Sequence, residues 1–290
     1  MNSASGGAVL VTGATGNVGR PVVRGLLDAG ERVLAATTRP GRDLPELDGA
    51  EQVRFDFEDP GSWDAAFEGV DRLFLMRPPQ LTDTEHLVRP VIEVARRRAV
   101  RTVVFLSLLG VNRVAPHWRI ERDIETSGLP HTFLRPGFFA QNLEAAYRDD
   151  IRDHDRIRLP AGQGRTCFVD TRDLADVAVL ALRDPATHAG QAYDLTGSEA
   201  YTYGFVASLL SAELGRPVTY EPTSFLRYWR ALSAAGLPRE YRIVQLVINA
   251  TARLGLAAKV TDDLPRLLGR PPRTLQAYIH DTREVWIHPA

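Results

Sequence analysis

Two patterns of hydrophobic and polar positions alternate along the first half of the chain. Short, continuously apolar runs are typical of buried parallel strands, and they predict strands at 8–11, 32–37, 52–56, 72–76, 102–107 and 131–135. Between them, apolar residues recur every three to five positions, which predicts amphipathic helices that begin near 17, 62, 84 and 117. This alternation indicates βαβ units and a parallel sheet covered by helices on both faces.

The rhythm loosens after residue 138. Helical patterns cover 142–153, 172–182, 203–214, 224–234, 239–254 and 275–280, with strands expected at 157–159 and 191–195. The sequence predicts an α/β fold: a Rossmann-type doubly wound parallel sheet with a smaller, helix-rich C-terminal substrate cap. We expect the nucleotide-binding core at 1–137, with 166–197 returning to it, and the cap at 138–165 and 198–290. The active site is expected in the crevice between core and cap.

Composition excludes several classes of function. The 290 residues are 44 % hydrophobic and 24 % charged, with a formal net charge of −1, so no general attraction to nucleic acid is expected. The lone Cys167 excludes an intramolecular disulfide and a cysteine zinc cage, and the histidines form no metal-binding pattern. No apolar run is long enough to span a bilayer, and residues 1–7 do not resemble a signal peptide. We expect a cytoplasmic protein that acts on a small molecule, without nucleic-acid, membrane or metal partners. An exposed helix pair would allow a homodimer.

A glycine-rich turn joins the first strand to the first helix: Thr12-Gly13-Ala14-Thr15-Gly16-Asn17-Val18-Gly19. Gly13 permits a tight turn, Gly16 lets the backbone approach a pyrophosphate, and Gly19 lets helix and strand pack closely. The free N–H groups at the start of the helix then meet the negative phosphates. The turn predicts a dinucleotide site.

Residues after the second strand distinguish NADP from NAD. An acidic residue there would bind the ribose 2′-hydroxyl, whereas this chain has Thr37-Thr38-Arg39. Arg39 can pair with a 2′-phosphate through two parallel hydrogen bonds, and Arg42 can assist it. We therefore predict NADP(H). The alternative is that Arg39 is a solvated surface residue and that Asp43 has the acidic role.

With these motifs the sequence resembles the atypical short-chain dehydrogenases of the NmrA-like group, especially the NAD(P)H:quinone oxidoreductases of type 2. The resemblance follows the chain through nearly its whole length. Its motifs are the glycine turn, Arg39, Phe55-Asp56-Phe57-Glu58-Asp59, Ser107-Leu108-Leu109-Gly110, His117 with Glu121-Arg122, Leu134-Arg135-Pro136-Gly137-Phe138-Phe139 with Asn142, and Tyr193-Asp194-Leu195-Thr196-Gly197.

The resemblance implies a role for several residues. Asp56 would bind the adenine amino group, with Phe57 beside the ring, while Leu75, Met76 and Arg77 would line the ribose and pyrophosphate. Ser107 would face the nicotinamide ribose, and the segment from Pro136 through Phe138 and Phe139 would flank the nicotinamide. His117 and Glu121 stand where other members of the superfamily have a tyrosine and a lysine.

That tyrosine–lysine pair is absent, because the first tyrosine is Tyr147 and the only lysine is Lys259. His117 and Glu121 lie four residues apart, so they share a helix face. Glu121 would raise the pKa of His117, and the pair would supply a proton. The alternative is an ordinary helical hydrogen bond or a pair that orients substrate. Ser107 is a candidate site residue but a poor acid.

A quinone would need orientation more than an acid, because its ring stabilises the reduced anion. Candidate substrate residues are Phe139, Asn142, Tyr147, Phe225 and Trp229, although each aromatic side chain also suits an ordinary core. The first hypothesis is therefore an NADPH-dependent reductase of a quinone or another activated carbonyl or alkene, with a flat apolar substrate. The second is a redox-silent NADP(H)-sensing regulator, and the third is a non-redox biosynthetic enzyme that retains NADP.

Overall fold

The computed structural model describes residues 7–78, 80–81 and 83–287 and divides the chain into two compact units. The N-terminal unit contains residues 1–136 and 171–195, and the C-terminal unit contains 137–170 and 196–290. The start of the chain, on which the signal-peptide argument depends, lies outside the described residues.

A seven-stranded sheet forms the centre of the N-terminal unit, in the order β10-β6-β5-β4-β1-β2-β3. Every neighbouring pair in it is parallel. The strands are β1 Ala8–Val11, β2 Val33–Thr37, β3 Glu51–Arg54, β4 Val70–Leu75, β5 Thr102–Leu106, β6 His131–Pro136 and β10 Gln191–Leu195. The doubly wound parallel sheet is thus confirmed.

Helices cover the sheet of this unit. They are α1 Gly19–Asp28, α2 Trp63–Ala66, α3 Thr84–Leu87, α4 Arg89–Arg97, α5 Pro116–Ser127, α7 Thr171–Arg183 and α8 Pro185–His188. α1 packs against α7, and α4 packs against α5. Leu10, Leu73 and Phe105 belong to one buried cluster with Ile92 and Ile120, while intervening residues point to the other face because side chains alternate along a strand.

The helix predicted from residue 84 is two helices in the structure. α3 ends at Leu87 and α4 begins at Arg89, with Pro90 in its first turn. Proline has no N–H to donate to the carbonyl four residues earlier, so the first helix cannot run through this position. The apolar residues have helical spacing in both α3 and α4, so the spacing alone does not show where the first helix ends.

The C-terminal unit is less exclusively helical than the sequence predicts. Its helices are α6 Asn142–His154, α9 Tyr203–Leu214, α10 Phe225–Ala234, α11 Arg239–Arg253, α12 Asp263–Leu268 and α13 Leu275–Asp281. Short strands form two small sheets, β11-β9-β7 and β12-β8. Their bounds are β7 Phe138–Phe139, β8 Arg156–Leu159, β9 Arg165–Val169, β11 Ala200–Thr202 and β12 Thr219–Pro222.

The core of the C-terminal unit is rich in aromatic side chains. Tyr203, Tyr278 and Trp286 are at most 1 % exposed and pack with the apolar face of α6. Within the described residues no single helix is long and apolar enough to cross a membrane, although α11 and the segment 256–268, bent by 75°, pass this test together on length and composition.

Candidate functional site

The predicted cofactor residues of the N-terminal unit follow the strands of one sheet. The glycine turn follows β1, Arg39 follows β2, Asp56 follows β3, Met76 follows β4 and Ser107 follows β5. Because these strands are parallel, all five positions lie along the same carboxyl edge. The strand order also reverses between β1 and β4, and ligands of open α/β sheets bind at such a point.

Three glycines make the turn after β1 very compact. Gly13 has φ +63°, and a Cβ added to it would lie 2.2 Å from the Met76 Cε atom. At Gly19 an added Cβ would lie 2.0 Å from the Gly13 carbonyl oxygen, and at Gly16 it would lie 3.2 Å from that same oxygen. No larger residue fits at Gly13 or Gly19 without displacing its neighbours. Gly13 and Gly19 therefore have the tight turn and the close packing that the sequence predicted, while the approach of a pyrophosphate to Gly16 remains a prediction.

The turn has the features that a dinucleotide pyrophosphate requires. α1 begins at Gly19 without a side-chain cap and without an acidic residue in its first turn, as far as the described residues go. In its first turn Pro21 has no N–H and the Arg20 N–H donates to the Gly16 carbonyl at 3.0 Å, so the Gly19 N–H is the one that the start of the helix can offer to an anion. Thr15 and Asn17 are exposed beside it, whereas the Val18 side chain is 2 % exposed and packs inward. The residues of this turn therefore fit the pyrophosphate of the predicted dinucleotide.

Thr12 connects the turn to β4. Its fully buried hydroxyl accepts a hydrogen bond from the Met76 N–H at 2.7 Å and lies 2.9 Å from the Met76 carbonyl oxygen. The Thr12 N–H donates to the Phe74 carbonyl at 3.0 Å. Thr12 therefore shapes the turn through these bonds, and its direct contact with a cofactor remains a prediction.

Arg39 is exposed at the end of β2, and its backbone N–H donates to the Thr37 hydroxyl at 3.2 Å. Among the described residues no carboxylate forms an ion pair with Arg39. Asp43 is also exposed. The guanidinium of Arg39 is thus accessible to a phosphate, as the NADP prediction requires.

Asp56, the residue predicted to bind the adenine amino group, is held in place by hydrogen bonds of its backbone and its side chain. Its carbonyl accepts the Trp63 indole N–H at 2.7 Å, and its carboxylate accepts the Glu58 N–H at 3.0 Å. Phe57 is only 5 % exposed and packs edge-on against Phe55, with 4.9 Å between ring centroids. Most of the Phe57 ring therefore belongs to the core.

The three residues after β4 differ in their surroundings. Leu75 is fully buried in the core of the N-terminal unit, while Met76 is half-buried with its methyl group against the glycine turn. Arg77 turns back on its own loop, where its Nη1 donates to the carbonyls of Pro78 at 2.9 Å and Leu81 at 2.8 Å. Burial lowers the pKa of Arg77.

A buried carboxylate lies behind Ser107. The Ser107 hydroxyl donates to Glu121 Oε1 at 2.6 Å, and Arg135 donates to both carboxylate oxygens, at 2.9 Å and 2.6 Å. The Glu121 side chain is 5 % exposed and that of Arg135 is 28 % exposed. The hydrogen bond to Glu121 is the main cause that raises the pKa of Arg135. The Ser107 hydroxyl has a single hydrogen, and that hydrogen is donated in the bond to Glu121. The Ser107 oxygen can therefore only accept a hydrogen bond from a ligand.

Arg135 is a residue whose part in this cluster the sequence analysis missed. The signal is an arginine within β6, between the buried residues Leu134 and Pro136. A charged side chain at such a position needs a partner of opposite charge.

The predicted pairing of His117 with Glu121 is wrong in one essential respect. Burial and the positive charge of Arg77 lower the pKa of His117 to about 3, whereas the sequence analysis expected Glu121 to raise it. Glu121 is directed at Ser107 and Arg135 instead. The buried Nδ1 of His117 has no hydrogen-bond partner among the described residues, and its ring lies 6.1 Å from that of Phe105. His117 is therefore neutral at physiological pH and does not act as an imidazolium acid.

The remaining predicted residues begin at the end of β6. Pro136 is buried in the N-terminal unit, where its carbonyl accepts the Leu109 N–H at 2.8 Å. In the C-terminal unit, Phe138 and Phe139 form β7 and are both half-buried, and Phe138 packs edge-on against Phe168 at 5.4 Å. Asn142 begins α6 and is half-buried.

The three predicted aromatic residues of the cap differ in their surroundings. Tyr147 is 3 % exposed and belongs to the core of the C-terminal unit, where Tyr203 packs edge-on at 6.4 Å. Phe225 and Trp229 are half-buried on α10. The Arg253 guanidinium lies 5.9 Å from the Phe225 ring, and that of Arg242 lies 4.4 Å from the Trp229 ring. Their contact with substrate remains a prediction.

The model of the NmrA-like family matches residues 6–262 of this chain. The chain belongs to the NmrA-like family. The resemblance inferred from the motifs is thereby confirmed, and the match spans both units.

Two curated relatives align with nearly the whole chain. It is 33 % identical to an NAD(P)H azoreductase of Xenophilus azovorans, over 93 % of this chain and 96 % of that protein. It is 34 % identical to a (4-alkanoyl-5-oxo-2,5-dihydrofuran-3-yl)methyl phosphate reductase of Streptomyces griseus, over 96 % and 99 %. The structure of an Escherichia coli NADPH-dependent quinone oxidoreductase in complex with NADPH matches with a TM-score of 0.84 and 25 % identity, over 94 % and 99 %.

Replacement of Gly19 by alanine tests the packing of the turn. The Gly19→Ala side chain would push the Gly13 carbonyl away, so we expect a loss of about 1–3 kcal/mol in the free energy of unfolding and strongly weakened NADPH binding. Urea unfolding and nicotinamide fluorescence measure the two effects. Gly204→Ala is the control, because the nearest atom to an added Cβ there is 3.9 Å away. Equal stability and binding in both variants would contradict the packing argument.

The lowered pKa of His117 predicts an acid-sensitive stability. The unfolded chain binds a proton at His117 below a pH of about 6.5, while the folded chain does so only near pH 3. Stability is therefore lost as the pH falls through this window. His117→Gln should lose less stability than the wild type between about pH 7 and about pH 5, as measured by urea midpoints. His86→Gln, with a side chain that is 78 % exposed in the wild type, is the control. Parallel curves for the wild type and His117→Gln would refute the assignment.

Proposed function

We propose that this protein is a reductase that transfers hydride from NADPH to a conjugated, electron-poor acceptor, with quinones as the leading class. The observation that carries this proposal is the chemistry around Ser107. The Ser107 hydroxyl donates its hydrogen bond to Glu121, Glu121 forms an ion pair with Arg135, and the His117 ring is neutral. This cluster has hydrogen-bond acceptors and a fixed ion pair, but it provides no acid that releases a proton near neutral pH.

The enzyme class and the cofactor have independent support. Two relatives that align over more than nine-tenths of the chain are named as reductases, and the quinone oxidoreductase structure contains NADPH. Together with the glycine turn, these comparisons confirm the prediction of an oxidoreductase that binds NADP(H). The acceptor is the part that we propose.

The residues of the N-terminal unit would hold the cofactor by its charges and hydroxyls. The Gly19 N–H at the start of α1 would bind the pyrophosphate, and Arg39 would pair with the 2′-phosphate. Ser107 would accept a hydrogen bond from a ribose hydroxyl or an amide N–H. Bound NADPH supplies a hydride from its nicotinamide ring.

A missing acid matters differently for different acceptors. Reduction of a simple ketone leaves an alkoxide, and a positioned acid accelerates it by about 10²–10⁴-fold. Reduction of a quinone gives an anion stabilised by its own ring, which takes its proton from water. The three comparison proteins are named for an azo compound, an oxo-dihydrofuran and a quinone, and each of these has a conjugated multiple bond. The cluster around Ser107 suits acceptors of this type.

Mixing the purified protein with NADPH and then with menadione tests the activity. We expect enhanced nicotinamide fluorescence on binding, followed by decay faster than in a protein-free mixture. A simple ketone such as cyclohexanone should give little or no decay, since it needs the acid that the cluster lacks. Fluorescence that persists with quinones, enones and azo compounds alike would contradict the proposal and would favour the redox-silent sensor.

Arg39 should determine the preference for NADPH over NADH. Arg39→Asp replaces the cation with a carboxylate that repels the 2′-phosphate, so NADPH binding should weaken by about tenfold or more while NADH binding changes little. Fluorescence titration with each cofactor gives both constants. Arg230→Asp on the exposed surface of α10 is a matched control for the change of charge. Unchanged selectivity in Arg39→Asp would remove Arg39 from the site.

A further inference from the structure

Exposed apolar side chains are concentrated in one segment of the chain, 225–260, which belongs to the C-terminal unit alone. Ten large hydrophobic side chains are exposed among the described residues, and seven of them lie in this segment: Leu226, Ile243, Val244, Val247, Leu254, Leu256 and Val260. Their exposed fractions lie between 45 % and 73 %. Single exposed apolar residues are ordinary in a folded protein, whereas a concentration of them marks an interaction surface.

Helix α11 turns an apolar stripe outward. It buries the amides of Gln245 and Asn249 on one face. With successive residues roughly 100° apart around the helix, Ile243, Val247 and Leu254 fall together on the opposite face. A surface helix normally buries its apolar stripe and exposes its polar side chains. In α11 the polar face holds the helix to its own unit, and the apolar stripe is left for a partner.

A row of arginines borders this stripe. By the same helical spacing, Arg239, Arg242 and Arg253 fall between the buried face and the apolar stripe, on the side where α10 packs. The Arg242 guanidinium lies 4.4 Å from the Trp229 ring of α10, and that of Arg253 lies 5.9 Å from the Phe225 ring. None of the three arginines forms an ion pair with a carboxylate of the described chain. Their positive charge is therefore not neutralised within the protein.

The segment as a whole is strongly basic. Residues 225–260 contain five arginines and Lys259 but a single carboxylate, Glu240. The whole chain has a net charge of −1, so this local excess is not visible in the composition, from which no membrane partner was expected. A face of like positive charges repels the same face of a second copy of the chain and attracts an anionic partner.

An anionic lipid surface satisfies both properties of the segment. Its headgroups attract the arginines, and the boundary with its acyl chains takes up apolar side chains. A nucleic acid would neutralise the arginines but would leave the apolar stripe in water. α11 has 15 residues, fewer than the roughly 20 that cross a bilayer, so it suits a position along the membrane surface.

We propose that the segment 225–260 binds reversibly to the surface of a membrane that contains anionic lipids. Ile243, Val247 and Leu254 enter the boundary between headgroups and acyl chains, while Arg239 and Arg253 pair with lipid phosphates. The proposal concerns where the protein resides, and it does not depend on the proposed reductase activity.

Co-sedimentation with lipid vesicles tests this surface. We expect the protein to bind vesicles made of equal amounts of phosphatidylcholine and phosphatidylglycerol, and to bind vesicles of phosphatidylcholine alone about tenfold more weakly. Raising the salt concentration from about 0.1 M to about 1 M shortens the range of the electrostatic attraction from about 10 Å to about 3 Å. Most of the bound protein should then be released.

Two single substitutions separate the charge from the apolar stripe. Arg239→Glu should weaken binding to the anionic vesicles about fivefold or more, because attraction to the phosphates becomes repulsion. Val247→Ser removes apolar surface and should weaken it about two- to fivefold. The matched controls lie in the N-terminal unit: Arg119→Glu on the exposed surface of α5, and Val114→Ser, whose wild-type side chain is 92 % exposed. Neither control should change vesicle binding.

Thermal unfolding separates membrane binding from folding. Arg239 and Val247 are exposed, so the Tm of both variants should equal that of the wild type. Equal binding to the two kinds of vesicle, no binding to the anionic vesicles, or undiminished binding by both variants would overturn the proposal. Sedimentation velocity without lipid examines the other occupant of this face. A dimer that dissociates in Val247→Ser would assign the stripe to a second copy of the chain and would also overturn the proposal.

Discussion

The contact of Gly19 with the Gly13 carbonyl is the constraint on which the N-terminal unit depends. It brings the start of α1 against the backbone of the turn that follows β1, at a distance that no Cβ permits. The Thr12 hydroxyl then ties the same turn to the backbone of Met76, at the end of β4. The two strands that flank the reversal of strand order are thus joined through one turn. The Gly19 N–H is held at that point without a capping side chain, which suits the binding of an anionic cofactor.

The sequence was sufficient to predict this turn because every requirement is local. The spacing of Gly13, Gly16 and Gly19 reports close packing directly, and the change from continuous apolar runs to helical periodicity marks the strand and the helix. The sheet of the N-terminal unit was predictable for the same reason, since long apolar strands alternate with periodic helices. The break before Arg89 was visible only as Pro90 inside an otherwise regular pattern.

Other features depend on contacts distant in sequence, and these the pattern did not predict. The strand Phe138–Phe139 is too short to show any period, and Thr219–Pro222 is mostly exposed, so neither resembles a buried strand. His117 and Glu121 do share a helix, as their spacing requires, but Glu121 pairs with Arg135, fourteen residues further along the chain. Helical spacing shows that His117 and Glu121 are neighbours. The side chain of Glu121 nevertheless turns towards Arg135, a cation that only the folded chain places beside it.

The ion pair of Glu121 and Arg135 also defines what Ser107 can do. Burying a carboxylate is costly unless several donors satisfy it, and here three hydrogen bonds converge on its two oxygens. Such an arrangement fixes the orientation of the Ser107 and Arg135 side chains more than it adds to the stability of the fold. Both donors must keep one geometry to reach the Glu121 carboxylate at the same time. Ser107 is left as an acceptor, and burial keeps His117 without a proton at neutral pH. These groups cannot speed a reduction by donating a proton to the acceptor. The rate of such a reductase must therefore come from the orientation of the acceptor against the nicotinamide and from the ease with which the acceptor takes up a hydride.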